Sequence, residues 1–249
     1  MDKKVILITG SSRGIGAHFI ENFAINNYKV VINYSKSENE ANELYNKIIK
    51  VSGKDSVLCI KADVGNRSNV NDMFDKILST FGKIDVLVNN AGINKDSSFT
   101  DMSEIEWTSV INTILTGSFN CSQEFVRRFQ SDTGHIINIG AVTGISGRKN
   151  GANYCTARAG ILNFTHCLAL ELAPKICVNT ITPGYISTEE VMTRRSLHIK
   201  ENYEKAISLI PAARLGKPDD IFKALFFLVN DSSYITGQNI NIDGGYSMR

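Results

Sequence analysis

The sequence predicts a doubly wound α/β fold, in which one parallel sheet of seven strands carries helices on both faces. The first indication is a set of short apolar runs such as residues 4–9, whose near-continuous hydrophobicity is typical of strands buried on both sides. The second is the regular alternation of these runs with helical stretches, which favours a parallel sheet with crossover helices. No internal repeat, low-complexity tract or linker divides the chain, so we expect one domain over residues 1–249.

The elements follow one another in a simple order. Apolar runs that end in polar or glycine-rich turns predict strands at residues 4–9, 28–34, 56–61, 84–88, 135–139, 177–181 and 238–242. The stretches between them predict helices, namely one that ends near residue 26 and others at about 38–51, 67–81, 103–130, 152–172 and 218–229. Residues 187–209 are also predicted to be helical, although their apolar positions are poorly periodic.

Composition excludes several classes of protein. The 27 basic and 25 acidic residues nearly balance and form no Lys/Arg block, so charge gives no support to binding of nucleic acid or a membrane surface. The apolar runs are too short to span a bilayer, and the first residues lack a signal-peptide pattern. The five cysteines contain no CxxC pair, which favours free thiols in a reducing compartment. We therefore expect a cytoplasmic protein without a metal site.

A glycine-rich turn separates the first strand from the first helix. It runs Thr9-Gly10-Ser11-Ser12-Arg13-Gly14-Ile15-Gly16. Glycines at such a turn let the backbone approach a pyrophosphate, and the N-terminus of the following helix favours the negative charge. The turn therefore predicts a Rossmann-type dinucleotide site, although its glycines would also suit a tight turn with close helix packing.

Further motifs occur in a fixed order along the chain. Asn89-Asn90-Ala91-Gly92 follows the fourth strand, and Tyr154 has a cation four residues later. Pro183-Gly184-Tyr185-Ile186-Ser187-Thr188 follows the sixth strand, and Thr236-Gly237-Gln238 and Asp243-Gly244-Gly245 lie near the end. From residue 4 onward this combination resembles the short-chain dehydrogenase/reductase family, and within it most closely the 3-oxoacyl-acyl-carrier-protein reductases.

The resemblance implies a nicotinamide dinucleotide site made of four segments. The implied positions are Gly10, Ser12, Arg13, Gly14, Ile15 and Gly16 at the pyrophosphate and ribose; Asp63 and Val64 beside the adenine; Asn90, Ala91 and Gly92 beside the ribose; and Pro183, Gly184, Ile186 and Thr188 at the nicotinamide.

The choice of cofactor depends on the end of the second strand. A carboxylate there would hydrogen-bond the ribose 2′-hydroxyl and disfavour a 2′-phosphate, but this chain has none before Glu38. Arg13 together with Ser35 or Lys36 could hold the phosphate instead, while Lys36 is equally compatible with a solvated surface charge. We therefore expect NADP(H) if a cofactor is bound.

The catalytic positions that the resemblance implies are only partly filled. Members of the family donate a proton from tyrosine, with lysine lowering its pKa, serine binding the carbonyl oxygen and asparagine positioning a water. Tyr154 matches the tyrosine, but Ala141, Ile114 and Arg158 stand where serine, asparagine and lysine are expected. Losing one oxyanion donor commonly costs about 10²–10³ in rate, and arginine does not substitute freely for an ammonium group.

Neighbouring side chains leave alternatives open. Thr143 or Ser146 could supply the missing hydroxyl, although both lie further along the loop. Asn112 is two residues from position 114, roughly 200° around a helix, so we expect its amide to face elsewhere. Tyr154 itself could transfer a proton, donate to a bound ligand or only pack at the start of its helix. For Cys155 we favour a role as a small packing residue.

Three functions are compatible with these positions. We favour a catalytically impaired or inactive subunit, a pseudoenzyme, that partners an active paralogue in fatty-acid or polyketide-type synthesis. The second is an active NADPH-dependent reductase of 3-oxoacyl thioesters, supplied on acyl carrier protein, with Tyr154 and Arg158 as catalytic residues. The third is an NADP(H)-binding sensor.

The resemblance also implies where partners would bind. Members of the family form dimers and tetramers, so we expect a homo- or hetero-oligomer built on residues 103–130, residues 152–172 and the C-terminal strand region. The family covers its substrate with the segment that matches residues 187–209. The basic side chains of this segment could meet an acidic carrier, but we favour a solvated helix face; they are Arg194, Arg195, His198 and Lys200.

Overall fold

A computed structural model describes residues 3–248 and places seven strands in one parallel sheet. The strands are β1 (Val5–Ile8), β2 (Lys29–Tyr34), β3 (Val57–Lys61), β4 (Val86–Asn89), β5 (Gly134–Ile139), β6 (Ile176–Pro183) and β7 (Asn239–Ile242). Their spatial order is β3-β2-β1-β4-β5-β6-β7, and every neighbouring pair is parallel. The predicted fold class is confirmed.

The helices connect these strands in the expected order. They are α1 (Gly14–Ile25), α2 (Glu38–Ser52), α3 (Arg67–Phe81), α4 (Glu104–Ile111), α5 (Gly117–Arg127), α6 (Val142–Ser146), α7 (Ala152–Leu172), α8 (Glu189–Arg194), α9 (Lys200–Ser208) and α10 (Pro218–Asn230). Short 3₁₀ turns occupy Lys54–Ser56 and Tyr246–Met248.

Two helical predictions were too simple. The expected helix at 103–130 is divided into α4 and α5 by a π-helical turn at Asn112–Thr116. The stretch at 187–209 consists of α8 and α9, separated at Ser196, where the backbone has a positive φ of 49°. In both places the sequence shows helical character, but not the local change in hydrogen bonding that interrupts it.

The core lies on both faces of the sheet because successive strand residues point to opposite sides. In β1, Ile6 and Ile8 pack with α1, α2 and α10, whereas Val5 and Leu7 pack with α3, α5 and α7. All four side chains are fully buried. Continuous hydrophobicity in β1 therefore reflects helices on both faces, as the sequence predicts.

The sheet reverses its winding direction between β1 and β4. These strands are hydrogen-bonded neighbours, and the later strands continue outward from β4 while β2 and β3 continue outward from β1. In open α/β sheets the crevice at the carboxyl ends of such a strand pair is the usual ligand site. This topology brings the loops after β1 and β4 together.

Within residues 3–248, no helix combines the length and apolar character needed to cross a membrane.

Candidate functional site at the carboxyl ends of the strands

The loops after β1 and β4 are joined by a dense set of hydrogen bonds. Thr9 Oγ1 accepts from the backbone N–H groups of Asn90 and Ala91, each at 3.0 Å. The Asn90 amide donates back to the carbonyls of Thr9 at 2.8 Å and Gly10 at 3.1 Å. A Cβ at Gly10 would lie 2.8 Å from Cα of Ala91. Gly10 and Asn90 thus fix the floor of the crevice that the topology creates.

Asn33 ties the glycine-rich turn to the neighbouring strands. Its Oδ1 accepts from the Gly10 N–H at 3.0 Å, and its own N–H donates to Ser11 Oγ at 3.1 Å. Its amide nitrogen donates to the Ala62 carbonyl at 3.1 Å. From the sequence, this strand end was considered only for its missing carboxylate. An amide inside an otherwise apolar strand was the available signal for this buried role.

The N-terminus of α1 is open on the side where an anion would bind. Arg13 is exposed and precedes the helix, and its side chain makes no capping hydrogen bond. Gly14 has a φ of +61°, and no heavy atom lies within 4 Å of a Cβ built on it. Backbone N–H groups at a helix start attract phosphate. The turn therefore fits a dinucleotide pyrophosphate.

The residues expected around the adenine and its ribose differ in exposure. Ser35, Lys36 and Asp63 are exposed after β2 and β3, so their side chains are available to a ligand. Val64 is buried, and a Cβ on Gly117 would lie 2.6 Å from its Cγ2. The Val64 side chain is therefore packed inside the chain, and its carbonyl accepts from the Asn120 amide at 2.9 Å.

The residues predicted at the nicotinamide end are engaged within the chain. The Ile186 side chain belongs to an apolar cluster beneath the sheet, against which Ile15 of the glycine-rich turn also packs. Thr188 caps α8, since its Oγ1 accepts from the Val191 N–H at 3.4 Å. A Cβ on Gly184 would lie 2.7 Å from Cα of Asp243, which keeps the loops after β6 and β7 in close contact. Pro183 is buried as the last residue of β6.

Tyr154 lies on the first turn of α7 between two arginines. The guanidinium carbons of Arg148 and Arg158 lie 5.1 Å and 5.2 Å from the centre of its ring. Within the described residues 3–248, the Tyr154 hydroxyl makes no hydrogen bond. The phenol is thus held by packing and cation–π contacts.

Arg158 is turned toward the sheet. Its side chain is buried, and one of its terminal nitrogens donates to the carbonyl of Ile139 at the end of β5. The other approaches the loop after β4, because a Cβ on Gly92 would lie 2.5 Å from it. Nε of Arg158 is buried without a partner within the described chain. The cation is therefore close to Tyr154, while it donates its hydrogen bond to the backbone.

The remaining catalytic positions present no polar side chain to Tyr154. Ala141 begins the short helix α6 in extended conformation. Ile114 is fully buried in the π-helical turn and belongs to an apolar cluster with Val110, Ala157 and Ile161, against which Tyr154 also packs. Position 114 offers apolar surface where a water site would need a polar group.

The alternative polar groups lie apart from this cluster. Ser146 is exposed, and its hydroxyl donates to the carbonyls of Val142 and Gly147, each at 3.2 Å. Asn112 is exposed, and its Oδ1 accepts from Thr116 at 3.4 Å, in agreement with the expectation that it faces elsewhere. Thr143 is half-buried on α6 and makes no side-chain hydrogen bond among the described residues.

Asn153 fixes the start of α7 and was missed by the sequence argument. It is fully buried and donates to the carbonyls of Lys95 at 2.8 Å and Glu106 at 3.1 Å. Its Oδ1 accepts from the Tyr154 N–H at 2.7 Å. Asn153 therefore joins the loop after β4, the helix α4 and the backbone of Tyr154.

Arg148 was likewise not predicted. It donates through both terminal nitrogens to Asp96, and Nη2 also donates to Asn94 Oδ1 at 3.0 Å. Burial lowers the pKa of Arg148, but the hydrogen bonds to Asp96 outweigh burial and raise the pKa above its ordinary value. Arg148 is thus a charged side chain held in place beside Tyr154.

The basic side chains at 194–200 are only partly the solvated face that the sequence favoured. Arg194 pairs with Glu190 and approaches Asp96, and Arg195 lies 4.4 Å from the centre of the Tyr185 ring. His198 is exposed, and Lys200 is exposed and 3.7 Å from Glu204. The two arginines are therefore engaged within the chain.

Comparison with known proteins agrees with this architecture. The sequence profile of the family described as enoyl-(acyl carrier protein) reductase matches residues 10–247. The 3-oxoacyl-[acyl-carrier-protein] reductase of Synechocystis is 38% identical over 249 residues, covering 98% of this chain and 97% of that protein. The reductase of the same name from Staphylococcus aureus is 39% identical over 248 residues, covering 98% of each chain.

A solved structure of another protein has the same fold as this chain. The structure described as ElxO with NADP bound superimposes with a TM-score of 0.90 at 32% identity, covering 99% of this chain and all of that one.

Proposed function

We propose that this chain, which belongs to the short-chain dehydrogenase/reductase family, is an NADP(H)-binding subunit with impaired catalysis. Within the family it resembles the 3-oxoacyl-acyl-carrier-protein reductases. In this proposal the subunit assembles with a catalytically complete relative in fatty-acid or polyketide-type synthesis. The reaction of that relative would be hydride transfer from NADPH to a 3-oxoacyl thioester.

The cofactor part of the proposal rests on the crevice between the loops after β1 and β4. The open start of α1 fits the pyrophosphate of a dinucleotide. Exposed Arg13 and the missing carboxylate before Glu38 favour a phosphorylated ribose. Ser35 and Lys36 are exposed at the same strand end as possible phosphate donors. The similar ElxO fold carries NADP in its solved structure.

One observation carries the proposal of impaired catalysis. The Tyr154 ring is surrounded by arginines and apolar side chains, with Ala141 and Ile114 at the positions where the family resemblance implies a hydroxyl and an amide. Arg158 directs its buried guanidinium to the Ile139 carbonyl. Among the described residues, positions 141 and 114 supply neither a hydroxyl nor an amide to a developing oxyanion, and preorganised donors of this kind supply much of a reductase's rate.

The test measures binding and turnover on the same sample. We expect saturable NADPH binding by titration. In the presence of a 3-oxoacyl thioester, we expect NADPH oxidation no faster than in a Tyr154→Phe variant. Turnover well above that variant would contradict impaired catalysis, and absence of binding would contradict the cofactor assignment. Saturable binding without turnover is also what a dinucleotide sensor would give.

An oligomer is supported by apolar side chains on the surfaces that the resemblance implies. Ile105 on α4, Phe119 on α5 and Leu170 on α7 are exposed, and Tyr234 before β7 is fully exposed. An oligomer built on these surfaces would remove these side chains from water. Co-purification from the native source tests the assembly, with an active reductase expected in the complex. Recovery of a homo-oligomer alone would contradict a mixed assembly.

An active reductase is the second candidate, favoured by one observation. Tyr154 retains a cation four residues later on α7 and has a second cation, Arg148, near its ring. In this case Tyr154 and Arg158 would serve an acyl-carrier-protein-linked 3-oxoacyl substrate.

We also propose a cytoplasmic location, because the five cysteines show no disulfide or metal spacing.

A further inference from the structure

A cluster of charged and amide side chains links three segments beside Tyr154. Asn94 and Asp96 lie on the loop after β4, Arg148 lies on the loop before α7, and Glu190 and Arg194 lie on α8. These five residues are called the clasp below.

The first half of the clasp joins the two loops. Arg148 holds Asp96 through both guanidinium nitrogens, with Nη2 2.6 Å from Oδ1. Nη2 also lies 3.0 Å from Oδ1 of Asn94. The Arg148 side chain is only 15% exposed, and a Cβ on Gly151 would lie 2.8 Å from its Cγ. Because a two-pronged pair of this kind fixes orientation as well as distance, Arg148 has a defined position against Tyr154.

The second half joins α8 to the same loop. Arg194 Nη1 lies 3.8 Å from Asp96 Oδ2, the oxygen that also accepts from Arg148. Glu190 Oε1 accepts from Arg194 Nε and from the Asn94 amide, each at 3.1 Å. Asp96 is therefore the one carboxylate of the clasp that contacts both the Tyr154 side and α8.

Apolar packing anchors α8 only to its own neighbourhood. No residue of Glu189–Arg194 is buried. Val191 and Met192 pack against a small cluster formed by Leu197, Ala206, Ile210 and Leu215, which is separate from the two clusters under the sheet. The contacts that tie α8 to the Tyr154 side are thus the polar contacts of the clasp.

We propose that the clasp holds α8 against the loop after β4, beside Tyr154, and that Asp96 is its latch. Removing the shared carboxylate leaves Arg148 without its counter-ion and releases Arg194, so the Asn94–Glu190 hydrogen bond is the one clasp contact that still ties α8 to the loop, and α8 opens more often. Elements with few buried apolar contacts open at low free energy, which is why a few polar contacts decide the position of α8. Opening of α8 in this way requires no turnover of substrate.

Hydrogen–deuterium exchange of the full chain tests the latch. In an Asp96→Asn variant, we expect the amides of residues 189–195 to exchange about fivefold faster than in the parent chain, as loss of a partly buried ion pair would give. An Arg194→Gln variant, which keeps the Arg148–Asp96 pair, should show a smaller increase in the same segment. The matched control is Asp219→Asn, which breaks the exposed Lys223–Asp219 pair on α10 and should leave residues 189–195 unchanged.

Two results would overturn the latch. One is unchanged exchange at residues 189–195 in folded Asp96→Asn, and the other is a uniform increase over the sheet amides, which would indicate general destabilisation. If circular dichroism shows that Asp96→Asn does not fold, the test is hydrogen–deuterium exchange of Arg194→Gln. Unchanged exchange of α8 in that variant would refute the proposal.

Discussion

The guanidinium of Arg158 donates a hydrogen bond to the main-chain carbonyl of Ile139, at the end of β5. This bond anchors the cation of the Tyr154 helix to the sheet, beside the loop that contains Gly92. Arginine has the length and the several donors needed to reach this carbonyl while remaining near the phenol, and lysine offers a single, mobile ammonium group. The identity of residue 158 therefore bears on both the structure and the chemistry of the site.

Reversal of the altered positions should restore reaction only when they are changed together. We expect Ala141→Ser, Ile114→Asn or Arg158→Lys alone to leave kcat/KM within about threefold of the parent, because the groups of such a site act as a unit. The triple variant should gain about 10²-fold or more, the scale of one restored oxyanion donor. The measurement is NADPH oxidation with a 3-oxoacyl thioester.

The control for the reversal series is Tyr154→Phe in the triple background, which should abolish the gain. Because Ile114 is fully buried among apolar residues, circular dichroism and NADPH titration must accompany each assay. A folded, NADPH-binding triple variant with no gain would show that the altered positions do not limit the reaction.

The glycine-rich turn should tolerate substitution very differently at two neighbouring glycines. A Cβ on Gly16 would lie 2.7 Å from the Asn90 amide nitrogen and 2.8 Å from Cα of Ser11, whereas Gly14 has open space. We expect Gly16→Ala to lower the free energy of unfolding by about 3 kcal/mol through backbone displacement. Gly14→Ala should cost about 1–2 kcal/mol, because its φ is left-handed. Urea denaturation measures both, and an equal or smaller loss at Gly16 would contradict the close contact.

The strands and most helices were predictable because their signals are local. The run at β1 is apolar at every position, and the structure places helices against both of its faces. The helix α7 was predicted at 152–172, and its observed bounds agree. The hydrophobic pattern of a strand or helix predicts which of its residues face the core. In these elements the observed packing agrees with that prediction.

The features missed from sequence depend on contacts between distant segments. The π-helical turn at Asn112–Thr116 changes one turn of hydrogen bonding without any change in composition. The Arg148–Asp96 pair joins residues 52 positions apart on two loops that have no periodicity. Helical spacing places Arg158 near Tyr154, but the direction of its guanidinium depends on the Ile139 carbonyl, which belongs to another element.

Acid should destabilise the chain through His135. Burial, together with the nearby charge of Lys4, lowers the pKa of His135 from 6.5 to about 4. Between these values the unfolded chain binds more protons, so stability is retained above pH 6.5 and is lost as the pH falls toward 4. From pH 7.5 to 4.5 we expect His135 to contribute a loss of about 2–3 kcal/mol. Urea denaturation of the parent and of His135→Gln at both pH values measures this contribution.

His198 provides the matched control, because it is exposed on the loop between α8 and α9. Replacing His198 with glutamine should leave the pH dependence of the parent intact, whereas His135→Gln should flatten it. Equal pH dependence in the parent and in His135→Gln would contradict a depressed pKa at His135.

Asn153 should be the most costly amide to remove near the site. Asn153→Ala would leave the carbonyls of Lys95 and Glu106 and the N–H of Tyr154 without their partner in a fully buried position. An unsatisfied buried polar group costs about 1–3 kcal/mol, so we expect a total loss of about 3 kcal/mol after partial relaxation. Asn163→Ala, at an exposed position on the same helix, controls for the change in helix propensity and should cost less than about 0.5 kcal/mol. Comparable losses in the two variants would mean that Asn153 does not hold the loop after β4, α4 and Tyr154 together.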